Sequence, residues 1–375
     1  MRRQTIPLGK VFGIPIGLDY SWFLIFGLAT WSLAVSYFPE RYAGWPTLQY
    51  WGLGAAAALM LFASVLLHEL GHSLTALAHK VPVRRIRLLI FGGVAEIGDE
   101  PPSALAEFLI AIAGPAVSIL LAGAFFVGFW LMRLGGAFEP FIALFGYLAF
   151  INLTLSLFNL IPGFPLDGGR VLRAIIWGLS DNLQRATQIA ANVGRLVAFG
   201  FIGVGVIQMF TGNFGGGLWT AFIGMFLHSA ASAELRVQTM RDLLSDRAVA
   251  HVMRRNYIAV PGDTTLQGLV NRYLLSGGRG TFVVVKDDGA VGLLSVDRIR
   301  EVPPAERAFV GAGQVMTPVE QLESVQPDTP LWTALRKMDS SGQRQLPVTF
   351  DGRFLGLLRR DDVLGFARTL QAFGA

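Results

Sequence analysis

Along the first two thirds of this chain the apolar positions run together in long blocks; along the last third they alternate with polar ones over strand-length stretches. Six blocks, residues 22–38, 50–78, 104–132, 141–161, 193–210 and 218–233, read as membrane-spanning helices, since about 20 apolar residues carry a helix across a bilayer core. The sixth falls short of that length. The first has no small-residue cleavage site behind it, so it is expected to be a retained span and not a signal peptide. Between the second and third blocks, "RRIRLLIFGGVAEIG" (84–98) is too short and too rich in strand formers to cross, and its Gly92-Gly93 pair predicts a β-hairpin. Non-helical backbone at membrane depth is tolerated only against protein or water, so this hairpin should line a cavity or lie at the interface.

After Glu234 charged residues thicken and Pro and Gly punctuate shorter runs, which marks a linker near 234–248 and a soluble region beyond it. That region contains a repeat. "VGLLSVDRI" at 291–299 answers "LGLLRRDDV" at 355–363, and "VM" recurs at 252 and 315. Each copy reads as a short strand, an amphipathic helix (266–275; 331–338) and a strand hairpin. The expected division is a membrane domain over 1–235 and a soluble pair over 246–375, with repeats at 246–304 and 309–372. The fold class follows: an α-helical polytopic membrane domain of about six spans with a β-hairpin insertion, then an α/β repeat pair.

Composition agrees with lipid as the solvent of the first region. The chain is 53% hydrophobic and 15% charged, with mean hydropathy +0.50, which excludes an ordinary soluble protein. It has no cysteine, so neither a disulfide framework nor a thiolate metal site exists. The net charge of +5 resides largely in Arg and Lys beside the spans, a positive-inside pattern that predicts cytoplasmic termini and no nucleic-acid partner.

The second block ends in "LLHELGHSLTALAH" (66–79), where three ionisable groups sit in an otherwise apolar run. His68 and His72, at i and i+4, project from one face of a helix and are candidates to bind one metal ion, with Glu69 adjacent as a proton acceptor. Zinc suits two neutral imidazoles and an open coordination position. Catalytic zinc normally takes a third protein ligand. "NLIPGFPLDGGR" (159–170), at the same end of the fourth block, offers Asp167 as its one carboxylate, with Pro162 and Pro165 breaking the helix before it. Asn152, Ser156 and Asn159 form a polar stripe on that block; the first two read as helix packing and Asn159 as a candidate for holding a substrate carbonyl. His79, His228 and Asp19 are left outside the site, Asp19 as a helix cap.

His-Glu-Leu-Gly-His on the second block, Asn-Leu-Ile-Pro-Gly-Phe-Pro-Leu-Asp-Gly-Gly after the fourth, "FGG" at 91–93 and "AGPAVS" at 113–118 together resemble the site-2 proteases, intramembrane zinc metalloproteases. The resemblance is to the prokaryotic branch with a C-terminal pair of cystathionine β-synthase-type (CBS) domains. It implies one Zn²⁺ per chain held by His68, His72 and Asp167, with Glu69 activating water. It also implies a membrane-anchored regulatory protein with a single transmembrane segment as substrate, cut within the bilayer. Gly92 and Gly93, on the hairpin, are candidates for gripping that substrate as an added strand.

The repeat resembles a CBS pair, which in many proteins binds adenosyl ligands. The expected ribose pattern is a hydroxyl residue followed three positions later by Asp. The first copy has Ser295 but Arg298, the second Asp362 but Arg359, so neither is complete. Two outcomes stay open: an adenine nucleotide held mainly through phosphate, or a homodimer with no nucleotide. Two other function classes compete with the protease, a transporter or channel gated by the CBS pair and a catalytically silent scaffold. A transporter has no need of a Glu between two metal ligands and should show interrupted helices in matching halves. The intact His68, Glu69, His72 and Asp167 oppose the scaffold.

Overall fold

The computed structural model describes residues 5–89, 92–98, 100–275, 281–286 and 289–373. The chain divides into two compact units, Met1–Leu235 and Arg236–Ala375.

The first unit begins with a hairpin, β1 (Thr5–Val11) and β2 (Ile14–Asp19). Its turn holds Phe12 at φ 50° and Gly13 at φ 82°, the twist that two-residue hairpins favour. Helix α1 (Ser21–Arg41) follows, with a π-helical turn at Leu33–Tyr37, and then α2 (Thr47–Ala78). Asp19 Oδ1 accepts the Ser21 N–H at 3.0 Å and the Ser21 hydroxyl at 2.8 Å just ahead of α1, where Tyr20 holds the N-cap position. The predicted hairpin is present as β3 (Val83–Leu89) and β4 (Gly92–Ile97), antiparallel, with Arg85 and Arg87 both paired to Glu96. Phe91 of the "FGG" triplet lies outside the described residues.

The hairpin is half of a larger sheet in the order β1-β2-β3-β4, because β2 and β3 pair in parallel with Ile16 opposite Ile86. Ile14, Leu70 and Ile86 form one buried cluster, and Leu18, Trp22, Phe62 and Leu88 another. These clusters seat the sheet on α1 and on the half of α2 that carries His68. Edge strand β4 is thereby brought to the metal-binding motif.

Helices α3 (Ala104–Leu134) and α4 (Glu139–Asn159) complete the bundle around α2, and Ser103 caps α3 by accepting the Ala106 N–H. Buried Asn152 donates to Ser64 Oγ and Leu148 O, and Ser156 to Pro115 O, so this stripe links helices. A loop of seven residues, 160–166, leads into the short amphipathic α5 (Asp167–Ser180). It folds back so tightly that a side chain at Gly168 would lie 2.3 Å from Leu160 O. Helices α6 (Leu183–Phe210) and α7 (Phe214–Ser245) follow.

Five helices, α1, α2, α3, α4 and α6, are long and apolar enough to cross a membrane among the described residues. Five such helices fit the expected polytopic membrane domain of about six spans. The sixth block is helical, as the first half of α7, but glycines and His228 dilute its apolar character and charged residues follow Ala233.

The second unit is an α/β repeat pair. Its first half runs β5 (Ile258–Pro261), α8 (Leu266–Leu269, continuing as a π turn to Leu274), β6 (Thr281–Lys286), β7 (Gly289–Ser295) and α9 (Val296–Glu301). After α10 (Ala312–Val315) and β8 (Thr317–Pro318), the second half runs α11 (Leu331–Ser341), β9 (Gln345–Phe350), β10 (Arg353–Arg359) and α12 (Arg360–Phe373). The β9–β10 turn places Asp351 and Gly352 at positive φ; its counterpart at 287–288 lies outside the described residues. The halves exchange edges: Thr317 pairs with β7 of the first, and Arg254 bridges to Leu357 of the second. The repeated "VM" precedes each edge segment, and its side chains pack against the two cores.

Candidate metal centre

The i, i+4 spacing on α2 puts both imidazoles on one buried face, and the tight loop aims Asp167, the first residue of α5, at the same point. His68 Nε2 and His72 Nε2 each lie 3.1 Å from Asp167 Oδ2 and 3.2 Å from one another. Donors about 2.0–2.1 Å from a tetrahedral ion stand roughly 3.3 Å apart, so this triangle has the size of one face of a zinc coordination shell. Among the described residues, these three alone form a group able to hold a metal ion.

Helix α3 orients the imidazoles. His72 Nδ1 is 2.6 Å from Ile110 O and His68 Nδ1 is 2.9 Å from Ser118 Oγ. A carbonyl oxygen only accepts, so His72 Nδ1 carries the proton. In the neutral form of that tautomer, the form a metal ion binds, the Nε2 lone pair faces Asp167. Gly114, midway between Ile110 and Ser118 on the same face, leaves the needed space, for a Cβ there would sit 2.2 Å from His72 Nε2 and 2.6 Å from His68 Nε2. Lone pairs converging on a cradle that even a methyl group would fill fit a small cation.

Glu69, next to His68, turns to the sheet. Its Oε2 accepts the Ala95 N–H of β4 at 3.3 Å, and Gly93 makes room for it, since a Cβ there would lie 2.3 Å from Glu69 Cγ. Gly92, at φ 117°, starts the strand. Asn159 Nδ2 donates to Leu155 O at 3.0 Å within its own helix. His79 Nδ1 is bonded to Thr75 O at the end of α2, and the His228 ring lies 5.1 Å from that of Phe199 in a tilted contact; neither joins the cluster.

Sequence reasoning quoted "AGPAVS" without assigning Gly114 or Ser118 a role, and it missed Ile110 and Ala95. Spacing held a usable signal: 110, 114 and 118 lie four apart on an apolar helix, the same interval as His68 and His72.

The second unit has a cavity of about 730 Å³ whose lining includes Ser295, Asp297, Arg300, Arg307, Arg344 and Arg359. Two expected positions fall elsewhere. Arg298 faces Glu301 at 3.4 Å, and Asp362 is held by Arg254 through bonds of 2.6 and 2.7 Å. The carboxylates at the cavity are Asp297 and Asp361, one residue earlier in each repeat.

The profile of Peptidase family M50 matches residues 56–201, and that of the CBS domain matches 249–304 and 312–368. Zinc metalloprotease Rip3 of Mycobacterium tuberculosis is 36% identical over 365 residues, covering 96% of this chain and 92% of that protein. Zinc metalloprotease sll0528 of Synechocystis is 34% identical over 98% of this chain and 97% of its own length. The solved site-2 protease of Methanocaldococcus jannaschii shares 30% identity, covering 62% of this chain and 96% of that one at a TM-score of 0.42. The chain belongs to peptidase family M50, the site-2 proteases, with a C-terminal CBS pair, and it is a metallopeptidase.

Proposed function

We propose that this protein is an intramembrane zinc endopeptidase that cleaves the transmembrane segments of membrane-anchored regulatory proteins. The observation that carries the reading is the convergence of His68 Nε2, His72 Nε2 and Asp167 Oδ2 at 3.1–3.2 Å, with His72 locked in the tautomer a metal requires. These three residues would hold one Zn²⁺. Bound there, the ion supplies a Lewis acid that acidifies water and polarises a peptide carbonyl. Glu69 takes up the proton as general base and returns it to the leaving amine. Asn159, once its amide rotates away from Leu155 O, offers a donor to the carbonyl oxygen.

Edge strand β4, including Gly92 and Gly93, would receive the substrate as an added strand. The Ala95 N–H points away from β3 to Glu69, so the free edge and the base share one side of the strand. A helix presented to this edge must unwind, which exposes its scissile bond. Both termini are placed in the cytoplasm, an orientation that needs the first half of α7 to cross as well. The CBS pair serves regulation or dimerisation, with its arginines favouring an anionic ligand such as an adenine nucleotide.

Detergent-purified protein incubated with single-span membrane substrates, with and without a zinc chelator, tests the reading. Cleavage is expected only where metal is retained. Cleavage indifferent to chelation defeats it.

A further inference from the structure

Helices α3 and α5 are joined by an ion pair with no solvent access on its acidic side. Glu107, in the first turn of α3, is 0% exposed and Arg173 on α5 is 7% exposed. Both Arg173 Nε, at 2.7 Å, and Arg173 Nη2 donate to Glu107 Oε1. Arg170 Nε stands 3.9 Å from the same oxygen, and the Arg173 guanidinium lies over the ring of Phe164, in the loop that delivers Asp167.

What these two helices carry gives the pair its meaning. On α3, Glu107 lies one turn before Ile110, whose carbonyl holds His72, and on the same face as Gly114 and Ser118. On α5, Arg173 lies under two turns from Asp167. The histidines are thus referenced to α3 and the carboxylate to α5. Helix α5 is short, at 14 residues, and its C-terminal turn is exposed at Ile175, Leu179 and Ser180, so the buried Arg173 sits in the half of the helix that carries Asp167.

We infer that Glu107 and Arg173 are positioning residues for the metal site, fixing the α5 start against α3 so that Asp167 Oδ2 meets both imidazoles. This rests on the metalloprotease reading of the three ligands. A buried ion pair is weak ground for stability, because desolvation of both charges offsets most of their attraction. It does set direction and register, and ligand position is sensitive to such outer partners, whose loss typically weakens metal binding about 10–100-fold.

The test separates position from stability. Full-length protein in detergent is stripped of metal and titrated with Zn²⁺ against a competing chelator, and the visible spectrum of the cobalt-loaded form is recorded. Wild type is expected to take up one ion per chain; failure there would sink the metalloprotease reading itself. In E107L/R173M apolar side chains replace the pair, so thermal stability should be kept while zinc affinity falls about 10–100-fold and the cobalt bands shift. A folded double variant with wild-type affinity and spectrum overturns the inference. Should that variant not fold, R173K decides: it keeps the charge but loses the two-point grip on Oε1, and affinity is expected to fall at least about threefold. Unchanged affinity in R173K likewise overturns the inference.

Discussion

The two units each gather polar groups, but in different ways. In the first, three donor atoms stand 3.1–3.2 Å apart, and each imidazole is turned by a further partner on α3. In the second, four arginines and two aspartates ring about 730 Å³, and the closest carboxylate contact there, Arg300 to Asp297, is 3.8 Å between side chains 76% and 85% exposed. The difference follows from solvent. A polar group without water must find a partner or it costs several kcal/mol, so burial forces a definite geometry, and that geometry names a chemistry. Solvated arginines are screened and free to move; they define the sign of a ligand and little more.

The buried site can be broken most severely. Glu69→Gln keeps the shape of the side chain and removes its basicity, so turnover is expected to fall by about 10³-fold or more while metal content stays at wild type. Asp167→Ala and Gly114→Ala should do the reverse of this in metal binding: the first removes a ligand, the second fills the space beside both Nε2 atoms, and both should leave the purified protein largely without zinc. Metal analysis beside a cleavage assay separates the two classes. Loss of zinc from Glu69→Gln would make that glutamate a ligand.

How much of this was readable beforehand divides along the same line. His68, Glu69 and His72 were legible because ionisable side chains in an apolar run demand an explanation, and Asp167 because one carboxylate stood between two prolines and two glycines. The hairpin at 84–98 and the repeat were legible from period and turn residues. Ile110 was not, since it acts through its carbonyl, which every residue has, and Gly114 acts by what it lacks. Glu107 looked like any acidic residue in a first helical turn. The N-terminal hairpin has a faint signal, Ile14, Ile16 and Leu18 alternating with Pro15 and Gly17, which prolines mask because they argue against strands. Here Pro7 and Pro15 sit in the outer hairpin, and β2 finds its second partner in β3, far along the chain.

A smaller effect is expected at the sheet edge proposed to receive the substrate. Proline at Val94 would break the hairpin itself: ladder bonds alternate, and if Ala95 points its N–H outward, Val94 points inward to Arg87. Ala95→Pro instead removes the outward donor, which holds Glu69 Oε2, at a position where edge strands accept proline. One backbone hydrogen bond contributes about 0.5–1.5 kcal/mol net, so cleavage should fall by up to about tenfold with zinc content unchanged. Normal turnover in Ala95→Pro would mean that neither the Glu69 contact nor strand addition at Ala95 contributes to cleavage.

The smallest effects belong to the arginine-lined cavity, and they would sharpen the contrast by showing charge without shape. Asp362, the one ribose-type carboxylate in place in the sequence, is already committed to Arg254, and Arg359 stands where a hydroxyl was expected. The sugar therefore has few fixed partners, while Arg300, Arg307, Arg344 and Arg359 are available to phosphate oxygens. Calorimetry on the full chain in detergent should find ATP or ADP binding weakly and adenosine more weakly still. Raising salt from about 0.05 M to 0.5 M should cost several-fold in affinity, as screening at these lengths requires. Arg307→Ala and Arg359→Ala should each weaken ATP by only about threefold, since four guanidinium groups share the charge. Tight adenosine binding indifferent to salt would mean that the cavity recognises a nucleoside by shape after all. No nucleotide binding, with a dimer by light scattering, would give the pair to self-association.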